Sequence, residues 1–153
     1  MGIELTEGDL LAADVEALVN TVNTVGVMGK GLALQFKRAF PEAFREYAKA
    51  CKAGRVETGR VHLVQRLTSP KVIFNFPTKK HWRQPSRLEW VVEGLVDLRR
   101  QVQELGITSI AIPPLGCGHG GLAWEEVRPE IQAAFADMPE VSVLLFAPGR
   151  APR

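Results

Sequence analysis

The chain opens on an alternation. Ile3 and Leu5 sit between Gly2, Glu4 and Thr6, the period-two pattern of a strand over residues 2–7. Ala17-Leu18-Val19-Asn20 is a short apolar run and predicts a second, buried strand. Leu32, Phe36 and Phe40 then recur every four residues, which is a helical stripe. Pro41 suits the first position of a further helix, one that turns Phe44, Tyr47 and Cys51 inward. Gly54 and Gly59 punctuate the turn behind it. Residues 61–64 and 72–76 predict two strands, with Ser69-Pro70 making a hairpin-like connection between them. Ser86 and Glu89 have the spacing of a capping box. The stripe Leu88, Val91, Val92, Leu95, Leu98, Val102 and Leu105 predicts a long amphipathic helix that Gly106 closes. A strand over 109–112, a helix over 124–135 and a strand over 141–146 complete the pattern.

Strands alternating with helices predict an α/β layered domain with a mixed, largely parallel sheet. No repeat, low-complexity tract or linker divides the 153 residues. A single domain over residues 1–153 is expected, with 149–153 as a frayed tail. The composition is ordinary for a globular protein, at 46% hydrophobic and 24% charged. No apolar stretch is long enough to span a bilayer, and no charged region precedes an apolar one at the start, so neither a membrane span nor secretion is expected. The opening Met1-Gly2 with Thr6 fits a loose myristoylation pattern that the strand alternation outweighs. Cys51 and Cys117 stand far apart without metal-ligand spacing. That suits a reducing cytoplasm, with no disulfide framework and no metal site.

The net charge of +2 is too mild to argue for nucleic acid by itself. Local clustering says more. Pro77-Thr78-Lys79-Lys80-His81-Trp82-Arg83-Gln84-Pro85-Ser86-Arg87 gathers four cations and a histidine around a tryptophan. Two glycine-rich loops also follow strands and precede helices: residues 26–31 and 116–121. Neither is a standard nucleotide fingerprint. Gly116-x-Gly118-x-x-Gly121 lies too late in the chain for the first turn of a dinucleotide fold. Gly29-Lys30 lacks the other P-loop residues, since Thr24 and Gly31 stand where glycine and Ser/Thr are needed. Two such loops, dense in glycine, fit a grip on one diphosphate from both sides; the alternative is that both are merely tight strand-to-helix turns.

Gly8-Asp9, Val19-Asn20-Thr21-Val22-Asn23, Gly29-Lys30-Gly31 and Ile112-Pro113-Pro114-Leu115-Gly116-Cys117-Gly118 occur in that order. The ordered set closely resembles the macrodomain family of ADP-ribose binders, over nearly the whole chain. Gly29-Lys30-Gly31-Leu32-Ala33, Phe36-Lys37, Thr78-Lys79-Lys80 and Gly116-Cys117-Gly118 with Leu122 and Trp124 look like its lysine-dependent branch, and within that like the DarG antitoxins. The resemblance implies a three-layer α/β/α fold, no cofactor, and removal of ADP-ribose from thymidine in single-stranded DNA, which reverses a DarT-type toxin. It implies that Asp9 accepts from the adenine amino group and that Asn23 orients the distal ribose. Gly29, Lys30 and Gly31 would line one side of the diphosphate and ribose, and Gly116, Cys117, Gly118, His119, Gly120 and Gly121 the other. Leu10, Leu32, Thr78 and Pro114 would complete the binding set. Lys80 matches the branch's catalytic lysine. The loop aspartate used by the animal enzyme of the branch has Gly120 in its place.

The residues themselves leave several roles open. No carboxylate pair stands near either loop, so two-carboxylate glycosidase chemistry fits poorly. A lysine whose pKa is lowered by burial or neighbouring cations can serve instead. An extended backbone points Lys79 and Lys80 to opposite sides, and spacing does not say which faces inward. Trp82 suits base stacking or packing on the sheet edge. Arg83 and Arg87, with Lys71, suit DNA phosphates or a solvated run. Phe146 suits the adenine face or the core. His119 suits the ribose or modified base, or a purely backbone partner. Asn20 is expected to pin the strand-to-loop backbone, and His62, Trp90 and Trp124 to be structural. The competing functions are an ADP-ribose reader without catalysis, a hydrolase of Glu- or Asp-linked ADP-ribose on proteins, and, more weakly, an NAD-dependent redox enzyme. A monomer is expected.

Overall fold

The computed structural model describes residues 2–149. Residues 150–153, most of the tail expected to fray, lie outside them. Among the described residues six strands form one sheet: β1 (Gly2–Thr6), β2 (Ala17–Asn23), β3 (His62–Gln65), β4 (Val72–Lys79), β5 (Ser109–Ile112) and β6 (Ser142–Phe146). Their order is β1-β6-β5-β2-β4-β3. Every pairing is parallel except the β3–β4 hairpin, where His62 faces Asn75 and Gln65 faces Val72. The mixed, largely parallel sheet read from the alternation is therefore present.

Four helices cover it: α1 (Gly31–Ala39), α2 (Pro41–Lys52), α3 (Leu88–Leu105) and α4 (Trp124–Phe135). The period of two along the strands sends side chains to two separate cores. Ala17, Val19, Phe74, Phe76 and Ile110 pack with Val91, Leu95 and Leu98 of α3 and Ile131 of α4. Leu18, Ile73 and Ala111 face the other way and pack with Phe36 of α1 and Ala43 of α2. Both faces are covered, as a parallel sheet requires, and the three-layer arrangement follows.

Local signals mostly act as read. Pro41 opens α2, and Phe40 closes α1 and caps α2 at once. Gly106 ends α3 with a φ of 66°, the left-handed C-cap conformation that favours glycine. The capping box does not form. Arg87, not Ser86, is the N-cap of α3, and it makes no side-chain cap bond. Glu89 pairs instead with the Arg87 guanidinium at 3.1 Å. Ser86 is drawn away because its N–H donates to the Gly120 carbonyl at 2.9 Å. Long-range pairing has displaced a local motif.

Candidate active site

Ligands of open parallel sheets bind beyond the strands' carboxyl ends, where successive connections leave on opposite faces. Here that point lies between β2 and β5. The chain leaves β2 for α1 and α2, and leaves β5 for α4 on the other face. A cleft opens there, in two parts. The larger, of about 740 Å³, is lined by residues 21–23 and 29–33, Thr78, Lys79, Trp82, Arg83, Pro113, Pro114, Gly116 and residues 118–120. The smaller, of about 550 Å³, is lined by Asp9, Leu10, Gln35, Phe146 and neighbours. Leu32, Pro113 and Pro114 border both, so the two parts adjoin.

The two glycine loops form facing walls. Lys30 is the N-cap of α1 without a side-chain cap bond, so the first N–H groups of α1 point out unpaired. Across the cleft, the N–H groups of Gly118, His119 and Gly120 have no partner among the described residues. The approach is close: a Cβ on Gly31 would lie 3.9 Å from the His119 ring. Two rows of free donors around a gap are an anion site, with the α1 dipole adding positive potential on one side.

Asn23 is the fastener of the first loop. Its Oδ1 accepts from the N–H groups of Val25, Gly26 and Val27, and its Nδ2 donates to the Val27 carbonyl at 2.8 Å. Tyr47, fully buried, donates its hydroxyl to the Asn23 carbonyl at 2.7 Å and lies 3.0 Å from Oδ1. Burial pushes the Tyr47 phenol far above its usual range, so it remains a donor. The side chain expected to orient the ribose is thus largely spent on the loop. Asn20, expected to pin that backbone, instead donates to Asn75 Oδ1 at 3.4 Å. Asn75 Nδ2 in turn reaches His62 Nδ1 at 3.2 Å, and burial lowers the His62 pKa, so the ring accepts there as a neutral imidazole. These three residues cross β2, β4 and β3 beneath the cleft.

The lysines also separate. Pro77 lies inside β4, where it supplies no ladder N–H, and the β2–β4 register slips beside it. Val22 pairs with Pro77 and Asn23 with Lys79, leaving Thr78 as the extra residue of a bulge. Thr78 and Lys79 both line the larger cavity. Lys80 does not. Its Nζ stands 5.6 Å over the Trp90 ring, outside the cleft, and its carbonyl accepts from Thr24 Oγ1 at 2.7 Å. Lys79 Nζ donates to the Trp82 carbonyl at 3.3 Å. Burial, then the charge of Lys30, holds the Lys79 ammonium below the ordinary lysine value. Lys79 thus joins Lys30 in the cleft lining, and Lys80, the position that matches the motif, stands next to it with an exposed side chain.

Other expected site residues divide similarly. Asp9, Leu10, Lys30, Leu32, Gly116, Gly118, His119, Gly120 and Phe146 line the cleft. Asp9 uses Oδ1 to cap the short helical turn Leu10–Ala12, accepting from Leu11 at 3.0 Å, which leaves Oδ2 free. Cys117 points its Sγ at the Leu115 carbonyl and packs against the core, and burial raises its pKa to about 11. Gly121 and Arg87 also lie off the cleft lining. Trp82 and Arg83 are on its rim, with the guanidinium 4.5 Å over the indole and His81 stacked at 5.1 Å. Sequence reasoning missed Tyr47, Val27 and Ser86. Only Tyr47 carried a signal, because a buried tyrosine needs a partner for its hydroxyl.

Gly120 is bare for a steric reason. A Cβ there would run into the Gly116 carbonyl oxygen and the Ser86 hydroxyl. The latter is itself buried and without a hydrogen-bond partner.

The sequence matches the Macro domain family over residues 19–131, and the chain belongs to the macrodomain family. Its relatives include a protein of Thermus aquaticus named DNA ADP-ribosyl glycohydrolase, 56% identical over 99% of this chain. The alignment covers 42% of that relative, so this chain spans about two fifths of its length. The solved macrodomain of Thermus aquaticus DarG superposes with a TM-score of 0.92 at 57% identity, covering 95% of this chain and 98% of that one. Thermosipho africanus DarTG, solved in complex with ADP-ribose, superposes with a TM-score of 0.91 at 34% identity, over 99% of this chain and 43% of that one.

Proposed function

We propose that this chain is a hydrolase that removes ADP-ribose from thymidine in single-stranded DNA and so reverses a DarT-type toxin. One observation carries the reading. The cleft sets Asp9 and Phe146 at one end, two rows of free N–H groups in the middle, and Lys79 beneath Trp82 and Arg83 at the other. ADP-ribose fits that order: adenine by Asp9 Oδ2 and Phe146, diphosphate between the glycine loops, and distal ribose at Lys79. The aglycone then lies against Trp82 and Arg83, a flat cationic rim suited to a nucleobase and an adjoining phosphate. The Thermus aquaticus relative's name supports ADP-ribose on DNA as the substrate, and the Thermosipho africanus relative, a fusion of a DNA ADP-ribosyl transferase with a glycohydrolase, supports the pairing with a DarT-type toxin. A DNA substrate supports action in the cytoplasm.

In this reading a lysine at the end of β4 attacks the anomeric carbon: Lys80 is the position that matches the family's catalytic lysine, and Lys79 is the one that lines the cleft. Its neutral amine, favoured by burial and by Lys30, forms a bond to that carbon as the bond to thymine N3 breaks. The thymine takes the electron pair as an imide anion, its charge spread over two carbonyls. Such a leaving group needs less protonation than an amine, so no acid at position 120 is required. The lysine nitrogen sheds a proton to the departing imide, and water then adds to the same carbon as its bond to the lysine breaks, which releases ADP-ribose and restores the amine.

The test uses single-stranded DNA carrying one ADP-ribosyl-thymidine, beside a Glu-linked ADP-ribosyl protein. The expected result is release of intact DNA and ADP-ribose. Lys79→Ala is expected to lose at least a hundredfold in turnover while still binding ADP-ribose by calorimetry. Full turnover in that variant overturns the role of Lys79. ADP-ribose binding without cleavage by the unaltered protein makes the chain a reader, and cleavage of the protein substrate alone removes DNA from the reading.

A further inference from the structure

A lysine amine rides on a flexible four-carbon stem, so its placement depends on how firmly the backbone beneath it is held. At the end of β4 the sheet stops supplying that hold. Asn23 pairs with Lys79 past the bulge, and the register of β2 and β4 ends with that pair. Beyond it the two chains part, one into the first glycine loop and the other into the basic segment. A side chain carries the pairing one residue further. Thr24 Oγ1 donates to the Lys80 carbonyl at 2.7 Å.

The attachments on either side of that bond give it weight. Asn23 Oδ1 accepts from the N–H groups of Val25, Gly26 and Val27, so the first loop is a fixed unit that begins at Thr24. The basic segment is bonded within itself. The Gln84 N–H donates to the His81 carbonyl at 3.0 Å, the Arg83 N–H to His81 Nδ1 at 3.1 Å and Lys79 Nζ to the Trp82 carbonyl at 3.3 Å. Its ties to the cleft walls lie at its two ends. Thr24 joins Lys80 to the first loop, and the Ser86 N–H joins the far end to the Gly120 carbonyl of the second. The segment is thus a strap from one glycine loop to the other, and Thr24 is the anchor beside the lysines. Thr24 lines neither part of the cleft.

We propose that Thr24 is a positioning residue for the reaction: its hydroxyl fixes the Lys80 backbone relative to the first glycine loop, so that an ADP-ribose seated against that loop meets the lysine pair at a set distance. The inference rests on the hydrolase reading above. It is the same for Lys79 and Lys80 as the attacking amine, since the two are adjacent on the backbone that Thr24 holds. The rival is a hydroxyl that only staples the loop. A staple acts on binding at the loop, whereas an anchor for the lysines acts on turnover and leaves binding alone. A reacting group misplaced by about 1 Å loses up to about a hundredfold in rate, which sets the scale of the effect.

Thr24→Val tests this, because it keeps the shape of the side chain and removes the donor. Lys80 is exposed and Thr24 half-buried, so water can take the donor's place on the freed carbonyl and the fold is expected to keep its melting temperature within a few degrees. On single-stranded DNA carrying one ADP-ribosyl-thymidine, kcat is expected to fall about ten- to a hundredfold, with KM and the calorimetric affinity for ADP-ribose each within about twofold. Thr24→Ser restores the donor and is expected to recover most of kcat. Hydrogen exchange gives a readout that needs no turnover: the amides of residues 81–84 are expected to exchange faster in Thr24→Val, and those of residues 25–27 to stay as they were. Unchanged kcat in Thr24→Val overturns the proposal. An ADP-ribose affinity that falls as far as kcat overturns it too and makes Thr24 a staple of the loop, as does a Thr24→Ser variant no faster than Thr24→Val. If the unaltered protein cleaves no ADP-ribosyl-thymidine, the hydrolase reading fails by itself. The exchange comparison then still decides whether Thr24 holds the lysine segment, and equal exchange over residues 81–84 in the two proteins overturns that.

Discussion

A side chain's role here depends on which of two near neighbours the backbone presents. The Asn-x-x-Asn spacing was legible, but the division of labour within it was not. The motif match reads Asn23 as a ligand contact, and it lines the cleft while its side chain also holds the loop; Asn20, expected to pin the backbone, belongs to a buried relay. Neither assignment follows from residue type, since both depend on where the loop returns. Lys79 and Lys80 likewise differ in surroundings, the first lining the cleft and the second exposed beside it. Asn23 owes its fixed position partly to Tyr47. Tyr47→Phe is expected to destabilise the protein by about 1–2 kcal/mol, the usual cost of leaving buried acceptors unpaired. It is also expected to weaken ADP-ribose binding more than the loss in stability alone explains. Chemical denaturation and calorimetry on the same preparation check both.

At the scale of elements, the strands and helices were legible because their periods are strong and both faces of the sheet are buried. The failures sit at joins. The capping box at Ser86 had the right local letters, but a hydrogen bond to Gly120 outcompeted it. Pro77, a residue that cannot donate to a sheet ladder, marks the bulge that brings Thr78 and Lys79 to the cleft. The second glycine loop is held by its own carbonyl as much as by its ligand side. Gly120→Ala is expected to displace the loop and lower ADP-ribose affinity at least tenfold, because the obstruction is the Gly116 backbone. The core is expected to survive, with a melting temperature within a few degrees. Tight binding in this variant sinks that account.

Across the whole molecule, the cleft exists because β2 and β5 lie side by side while their connections diverge. Strand order is a long-range property, and no stretch of sequence spells it. It sets Lys30, on the loop after β2, near Lys79 at the end of β4, and that meeting has a consequence for pH. A reacting lysine works as the neutral amine, so turnover rises as pH climbs through its pKa. Burial and the Lys30 charge lower that pKa, so the rise is expected below the ordinary lysine value of about 10.4. Lys30→Met removes one of the two causes and is expected to move the rising limb of kcat to higher pH. A limb that stays in place at saturating substrate removes Lys30 from the electrostatics of the site.

The obstruction over Gly120 also bears on how this chain can change. A carboxylate at that position is a single substitution away, yet it is closed to a stepwise path, since any side chain there meets the Gly116 carbonyl and Ser86 before it meets a substrate. A lineage or a laboratory selection seeking an acid in this loop would have to reshape residues 86 and 116 first, with no gain at those steps. On the proposed reaction, a preference for a leaving group that departs without protonation would in that sense be inherited from the backbone.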